Sequence, residues 1–368
     1  MEFKLPRRND IDWLRNLGIL LLIPFHTAHV FTYWGINYIK DVELSWILTW
    51  FISLTAFWFM PLLFFLAGAS SFYSLIKRTG KEYLKERFYK LFIPFLFCVP
   101  LIIPPQAYIA KITNKGFEGS YIDFLKGYFT DFSDLTGYYG SFTPAHLWFI
   151  LYLFIFSLCA VQLFIKFKNT RLKILNSPVV LILFFIPMTI SEVLPAPGGK
   201  NPLYFFLIFL AGYFLCKDET TQSAINKMRF KCLVILIPVV SLFLTFRYLN
   251  RGADPYSTSS IALAFLRNFS VWITLIVILG YGNKFLSKTN KFLQYMNKIG
   301  FPLYILHQTI LIVIAYFIIK LQINIFIKFI LINLLTFLIC ILLIEIFKKF
   351  FITRWIIGIK KTKEENNI

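Results

Sequence analysis

Charge is scarce in this chain, acidic charge most of all. Asp, Glu, Lys and Arg make up 15% of the 368 residues, against about a quarter in ordinary soluble domains. That excludes a soluble globular protein. Cysteine is sparse too: Cys98, Cys159, Cys216, Cys232 and Cys340 lie in or beside apolar runs with no C-x-x-C spacing. A disulfide framework and a thiolate metal centre are therefore not expected, and the five read as packing residues. There are only four histidines, no H-E-x-x-H, and no two histidines sharing ligand spacing with a carboxylate, so no metal is expected. No polar stretch exceeds the roughly 35 residues from Lys111 to Ala145, too short for a core of its own. The chain reads as one transmembrane domain over 1–350, followed by a short basic tail over 351–368 whose end, KKTKEENNI, is expected to be disordered. No internal repeat is visible, which counts against transporter folds built from inverted halves.

What is abundant is apolar sequence. Hydrophobic residues make up 58%, aromatics 19%, and mean hydropathy is +0.69. A bilayer core needs about 20 apolar residues per helix, and ten runs approach that length: Trp13–Phe31, Trp46–Tyr73, Leu91–Ile109, Leu147–Phe164, Val179–Val193, Pro202–Cys216, Cys232–Leu249, Ile261–Tyr281, Phe301–Ile319 and Ile325–Phe347. The fifth and sixth are short and separated only by PAPGGKNP. The reading is an all-α integral membrane protein with about ten transmembrane helices in one bundle. A cleaved signal peptide is not expected, because the first run has helix length and no small-residue cleavage site follows it.

The positive charge sets the expected orientation. Of the 38 Lys and Arg residues, 27 fall in the two ends and alternate loops, 10 in the intervening loops, and Arg15 inside the first run. Cytoplasmic segments keep the excess, so both termini are expected in the cytoplasm. The net charge of +20 then reflects topology and attraction to anionic membrane lipids; nucleic acid is not an expected partner. The outward loop over 111–145 is rich in Tyr121, Tyr128, Tyr138 and Tyr139 and in acids. That mixture suits sugars, and equally an interfacial aromatic belt.

Four stretches carry candidate chemistry. In RNLGILLLIPFHTAH, Arg15 and His26 are eleven residues apart, which brings both to nearly the same helix face about 16 Å apart along the axis. Ionisable groups inside a membrane face the bundle interior or a cavity and are functional candidates by default. Snorkelling to headgroups is the plain alternative for Arg15, and a hydrogen bond between helices is the plain alternative for His26. His29, one turn on, falls nearer the interface. KRTGKEYLKERFYKLFIP gathers six basic residues between Lys77 and Lys90, a composition that attracts phosphates and that positive-inside sorting alone also produces. HLWFILYLFIF places His146 and Trp148 at the outward entrance of the fourth run, where a histidine beside tryptophan is commonly interfacial. FPLYILHQT places His307 and Gln308 about one and a half turns into the ninth, suited to function or to hydrogen bonding across helices.

In order and spacing these stretches resemble the membrane acyltransferase 3 family over almost the whole length. IDWLR with Arg15, ten residues and His26 is similar to the family's first-helix signature. MPLLFFLAGASSF, KERFYKLFIPFLF, PPQAYI, HLWFILYL and PLYILHQ are most like the branch named for glucan biosynthesis protein C. The resemblance implies an O-acyltransferase moving an acyl group, of acetyl or succinyl class, from a cytoplasmic acyl-CoA to a hydroxyl of a cell-envelope or exported glycan, in the plasma (inner) membrane. No bound cofactor is implied; acyl-CoA is a substrate. Residue by residue, it implies His26 as the base that activates the hydroxyl or as transient acyl carrier. Arg15 and Arg87 would hold the donor, and Lys90 stands where the family's R-x-x-R has its second arginine. Lysine there keeps the charge and loses the planar fork. His146, Trp148, His307 and Gln308 are supporting candidates. A transporter or flippase for a glycan or lipid-linked sugar, with the histidines as proton relays, is the alternative from another class; a regulatory protein keeping the fold without catalysis is a third.

Overall fold

A computed structural model describes residues 8–170, 172–252, 254 and 257–359. The expectations placed on Lys4, Arg7, Arg171, Lys360, Lys361, Lys363 and the terminal KKTKEENNI lie outside the described residues. Among the described residues all regular structure is helical. The α-helices are α1 (Asn9–His29), α2 (Trp46–Ile76), α3 (Gly80–Arg87), α4 (Ile93–Ile102), α5 (Pro104–Lys115), α6 (Tyr121–Tyr128), α7 (Trp148–Lys166), α8 (Pro178–Leu183), α9 (Phe185–Ser191), α10 (Pro202–Cys216), α11 (Glu219–Leu249), α12 (Thr258–Phe285), α13 (Lys291–Ile318), α14 (Ile325–Phe347) and α15 (Phe351–Ile356). A π-helical turn, Phe88–Phe92, joins α3 to α4, and a 3-10 turn, Ala145–Leu147, leads into α7.

Each of the ten apolar runs falls on helix, but they differ in length and straightness. Among the described residues, seven spans are long and apolar enough to cross a bilayer, and eight if a bent pair counts as one. The bent pair is the third run, which turns by 42° where α4 meets α5. Pro104 and Pro105 follow the break, and two adjacent residues without an N–H cannot carry a straight helix through. The fifth run is only a short apolar stretch, Pro178–Ser191, divided at Phe184 into α8 and α9. Its 14 residues reach about 21 Å, short of a 30 Å hydrocarbon core. Helix α1 contains Asp10, Asp12 and Arg15, charges that dilute an otherwise apolar run. Several apolar spans in one chain make this a multi-pass membrane protein. Its peripheral surfaces read accordingly: Leu334, Leu338 and Leu342 recur every four residues on α14, all more than half exposed, a stripe suited to lipid tails.

The chain divides into two compact units, one comprising Met1–Gly18 (described from Arg8), Thr55–Leu84 and Phe156–Leu293, the other Ile19–Leu54, Lys85–Ile155 and Gln294–Ile368. In the first unit, α2 and α10 meet backbone to backbone. A Cβ built on Gly68 would lie 1.9 Å from the Phe209 carbonyl oxygen, and one on Gly212 would lie 1.9 Å from that of Phe65. Small residues permit such approach where no hydrophobic force draws helices together. Beside this contact Tyr213 stacks on Phe164 at 3.7 Å and donates its hydroxyl to the Phe164 carbonyl at 2.9 Å. The Tyr83 hydroxyl meets those of Ser71 and Ser157 at 2.9 and 3.1 Å, which pairs three buried hydroxyls of this unit.

In the second unit, Phe124 and Tyr128 of α6 pack on Ala107 of α5, with Tyr108, Phe117, Leu125 and Phe142 around them. Tyr38 donates to the Thr136 carbonyl at 3.1 Å, and Asn114 donates to the carbonyls of Asn37 and Tyr138 at 2.8 and 2.7 Å. The tyrosine-rich loop is thus a folded cap: Tyr128 is buried, whereas Tyr121 and Tyr139 keep about a third of their surface. A buried ion pair, Lys328 Nζ to Asp41 at 2.8 Å, ties α14 to the segment between α1 and α2.

Candidate active site

Three of the four histidines come together in the second unit, from α1, from the turn that opens α7, and from α13. The ring centres of His26 and His307 are 5.4 Å apart, and those of His307 and His146 are 4.9 Å apart. His29 lies 6.4 Å from His26 and packs edge-on against Phe25 at 4.9 Å. His26 is half-buried, and no hydrogen bond joins its imidazole to another described residue. The apolar run that holds it predicted an interior position, and the histidine neighbours are what the structure adds.

His307 is set deeper in its helix than the sequence suggests. Pro302 looks like a helix start, but α13 begins at Lys291 and continues through that proline, so His307 lies past the helix midpoint. It is buried, and its Nδ1 lies 2.7 Å from the Tyr304 carbonyl oxygen one turn back. A carbonyl only accepts, so Nδ1 carries the proton and Nε2 presents a lone pair. That Nε2 is buried without a partner among the described residues.

His146 is buried, and it is held from both sides. Its Nε2 lies 2.9 Å from the Ile305 carbonyl oxygen, while the Tyr304 hydroxyl donates to the His146 carbonyl. Nε2 must therefore carry the proton, leaving a bare Nδ1 that is likewise buried without a protein partner. The backbone turns sharply to achieve this. Ala145 has φ +45°, the left-handed region that L-residues avoid, and the Thr143 hydroxyl steadies the turn by accepting from the Ala145 N–H at 2.9 Å. Trp148, next on α7, packs edge-on against Tyr152 at 5.1 Å. Gln308 is buried, and its Oε1 has no protein donor.

The candidate donor-binding residues lie elsewhere in the chain. Arg15 belongs to the first unit and pairs with Asp12 one turn earlier at 2.8 Å. Arg87 closes α3, and Lys90 falls inside the π-turn, both half-buried and both in the second unit. A π-turn inserts an extra residue per turn and often marks a functional segment; its presence under the K-E-R-F-Y-K stretch has no signature in the sequence. Residues that sequence reasoning passed over include Ala145, Thr143 and Tyr304, which orient the histidines, and the buried pair Gln106 and Thr309, joined at 3.2 Å. A glutamine and a threonine inside apolar runs were the available signal.

The model of the acyltransferase domain family, acyltransferase 3, matches residues 8–345. The chain belongs to the acyltransferase 3 family. It is also similar to proteins named glucans biosynthesis protein C from Salmonella paratyphi B, Salmonella heidelberg and Salmonella schwarzengrund, each 26% identical over 173 residues, which is 45% of this chain and 41% of the relative. The match thus spans about two fifths of the length of these curated relatives. No solved structure gives a significant match. Within the acyltransferase 3 domain, the three clustered histidines all lie inside the matched residues.

Proposed function

We propose that this protein is a membrane O-acyltransferase that moves an acetyl- or succinyl-class group from acyl-CoA to a hydroxyl of a cell-envelope or exported glycan. The observation that carries the reading is His26: an imidazole without a hydrogen bond to another described residue, half-buried in an apolar helix and set against a second histidine, in a chain of the acyltransferase 3 family. The glycan is suggested by the name of the relatives. Arg15, Arg87 and Lys90 are the proposed holders of the donor's phosphates, in keeping with their charge. Cytoplasmic termini, from the basic asymmetry of the loops, about ten spans, from the ten apolar runs, and the plasma (inner) membrane, from the family resemblance, complete the proposal.

The chemistry needs a base because a neutral hydroxyl is a poor nucleophile. His26 takes the hydroxyl proton as the oxygen bonds to the thioester carbonyl carbon. The carbon–sulfur bond then breaks, the acyl group stays on oxygen as an ester, and the proton ends on the CoA sulfur. A low-dielectric surround strengthens each of these electrostatic steps. The test is CoA release by purified protein given acetyl- or succinyl-CoA, with and without a glucose oligosaccharide, followed by mass spectrometry of the sugar. Oligosaccharide-dependent release with a matching ester is expected. Transport of the sugar without ester formation would favour the flippase alternative.

A further inference from the structure

His146 and His307 are fixed more tightly than support for His26 requires. Two backbone carbonyls settle their tautomers in opposite senses, so that His307 presents a bare Nε2 and His146 a bare Nδ1. Both atoms are buried, on residues 1% and 7% exposed, and neither finds a donor among the described residues. The rings stand 4.9 Å apart at 72°. Gln308, the next residue on α13, adds a third acceptor without a donor. Leaving such atoms unmet is costly in a buried site, and the left-handed Ala145 adds strain to hold one of them in place. A group that meets these three acceptors must donate. Anions, esters and carbonyl groups have no proton to give the two nitrogens, an ammonium brings a charge that is costly to bury, and a monohydric alcohol can meet only one of the nitrogens.

We infer that His146 Nδ1 and His307 Nε2 form a seat for two neighbouring, non-reacting hydroxyls of a polyol, one donating to each nitrogen. This rests on the acyltransferase reading only for its purpose: seating two hydroxyls beside His26 leaves a third free to be acylated. The two histidines then set specificity for a sugar over a simple alcohol, because a buried group built to pair with a hydroxyl discriminates strongly against a ligand lacking it.

The test separates the seat from the structural bonds. His307→Asn places an amide donor where Nδ1 meets the Tyr304 carbonyl and removes Nε2, while His146→Gln keeps a donor for the Ile305 carbonyl and removes Nδ1. With full-length protein in lipid nanodiscs, each variant should unfold at nearly the parental temperature, keep the parental KM for acyl-CoA, and raise the KM for a glucose oligosaccharide about tenfold, the size of one lost hydrogen bond. The ratio of transfer to the oligosaccharide over transfer to 1-butanol should fall by a similar factor. In parallel, ¹⁵N-histidine NMR of the parent should show the bare His307 Nε2 and His146 Nδ1 resonances moving on addition of the oligosaccharide and staying in place with 1-butanol. Parental KM and parental preference in both variants, or resonances that do not move, would overturn the seat even where His26 proves catalytic. Moving resonances in a protein that transfers no acyl group would keep the seat and remove the acyltransferase reading. Should a variant fail to fold, the parent spectra decide alone, their resonances assigned by comparison with His26→Gln and His29→Gln.

Discussion

Asp41→Asn should be among the most destabilising single changes in the second unit. Asp41 and Lys328 are 2.8 Å apart with side chains 0% and 4% exposed, so neither charge has water to fall back on. Lys328 also donates to the Ile319 carbonyl at 3.1 Å, and Asp41 accepts from the Glu43 N–H at 2.9 Å. The asparagine keeps shape and that N–H contact but leaves an ammonium facing neutral dipoles only. Removing one partner of a buried pair costs about 3–5 kcal/mol; the Ile319 carbonyl contact that remains for Lys328 places the expected loss near 3, roughly 150-fold in the unfolding equilibrium. An exposed pair would be worth about 0–1 kcal/mol, so burial decides the magnitude. The assay is reversible denaturant unfolding in detergent micelles for the parent, Asp41→Asn and the double variant Asp41→Asn/Lys328→Met. The double variant should recover most of the loss, because an apolar replacement removes the stranded charge. A single variant within 1 kcal/mol of the parent would refute the reasoning.

Other consequences are more local. Gly212→Ala brings a methyl group to 1.9 Å from the Phe65 carbonyl oxygen, so α2 and α10 must part; unfolding in micelles should show a loss of about 1–3 kcal/mol or more, and an unchanged midpoint would contradict the close approach. Arg87→Ala should weaken acyl-CoA binding measured by calorimetry, with the parent's own affinity falling as salt rises, whereas Lys90→Arg should be tolerated; equal affinity in Arg87→Ala and the parent would return the basic cluster to topology. Reporter fusions after Lys173 and after Lys361 should read as cytoplasmic and one between Gly116 and Tyr139 as external, the reverse pattern overturning the side assignments.

The membrane character, the helical class and the position of most helices were legible because hydrophobic length is written locally: α2, α12 and α14 follow from apolar runs bounded by charge or turn residues. Boundaries were less so. Pro302 reads as a helix start, yet α13 runs through it because the preceding Lys291–Gly300 segment is itself helical, and Pro104–Pro105 bends a run that composition alone presents as straight. His26 was visible as a costly group in an apolar helix, and the neighbouring His307 was visible only as a second such group. That the two meet, and that His146 joins them, depends on residues 120 and more apart in sequence, and no periodicity reports such a contact. The tautomers are less visible still, since they are set by the carbonyls of Tyr304 and Ile305, atoms every residue possesses.

The most direct test of the central claim is the rate of acyl transfer in His26→Gln. Glutamine keeps a polar side chain able to hydrogen-bond but takes no proton near neutral pH, and the His26 ring makes no hydrogen bond to another described residue that the exchange would break. The variant should fold, insert and bind acyl-CoA as the parent does, with transfer to a glucose oligosaccharide lowered by about 10² to 10⁴. Transfer within a few-fold of the parent would contradict the assignment of His26 as the base.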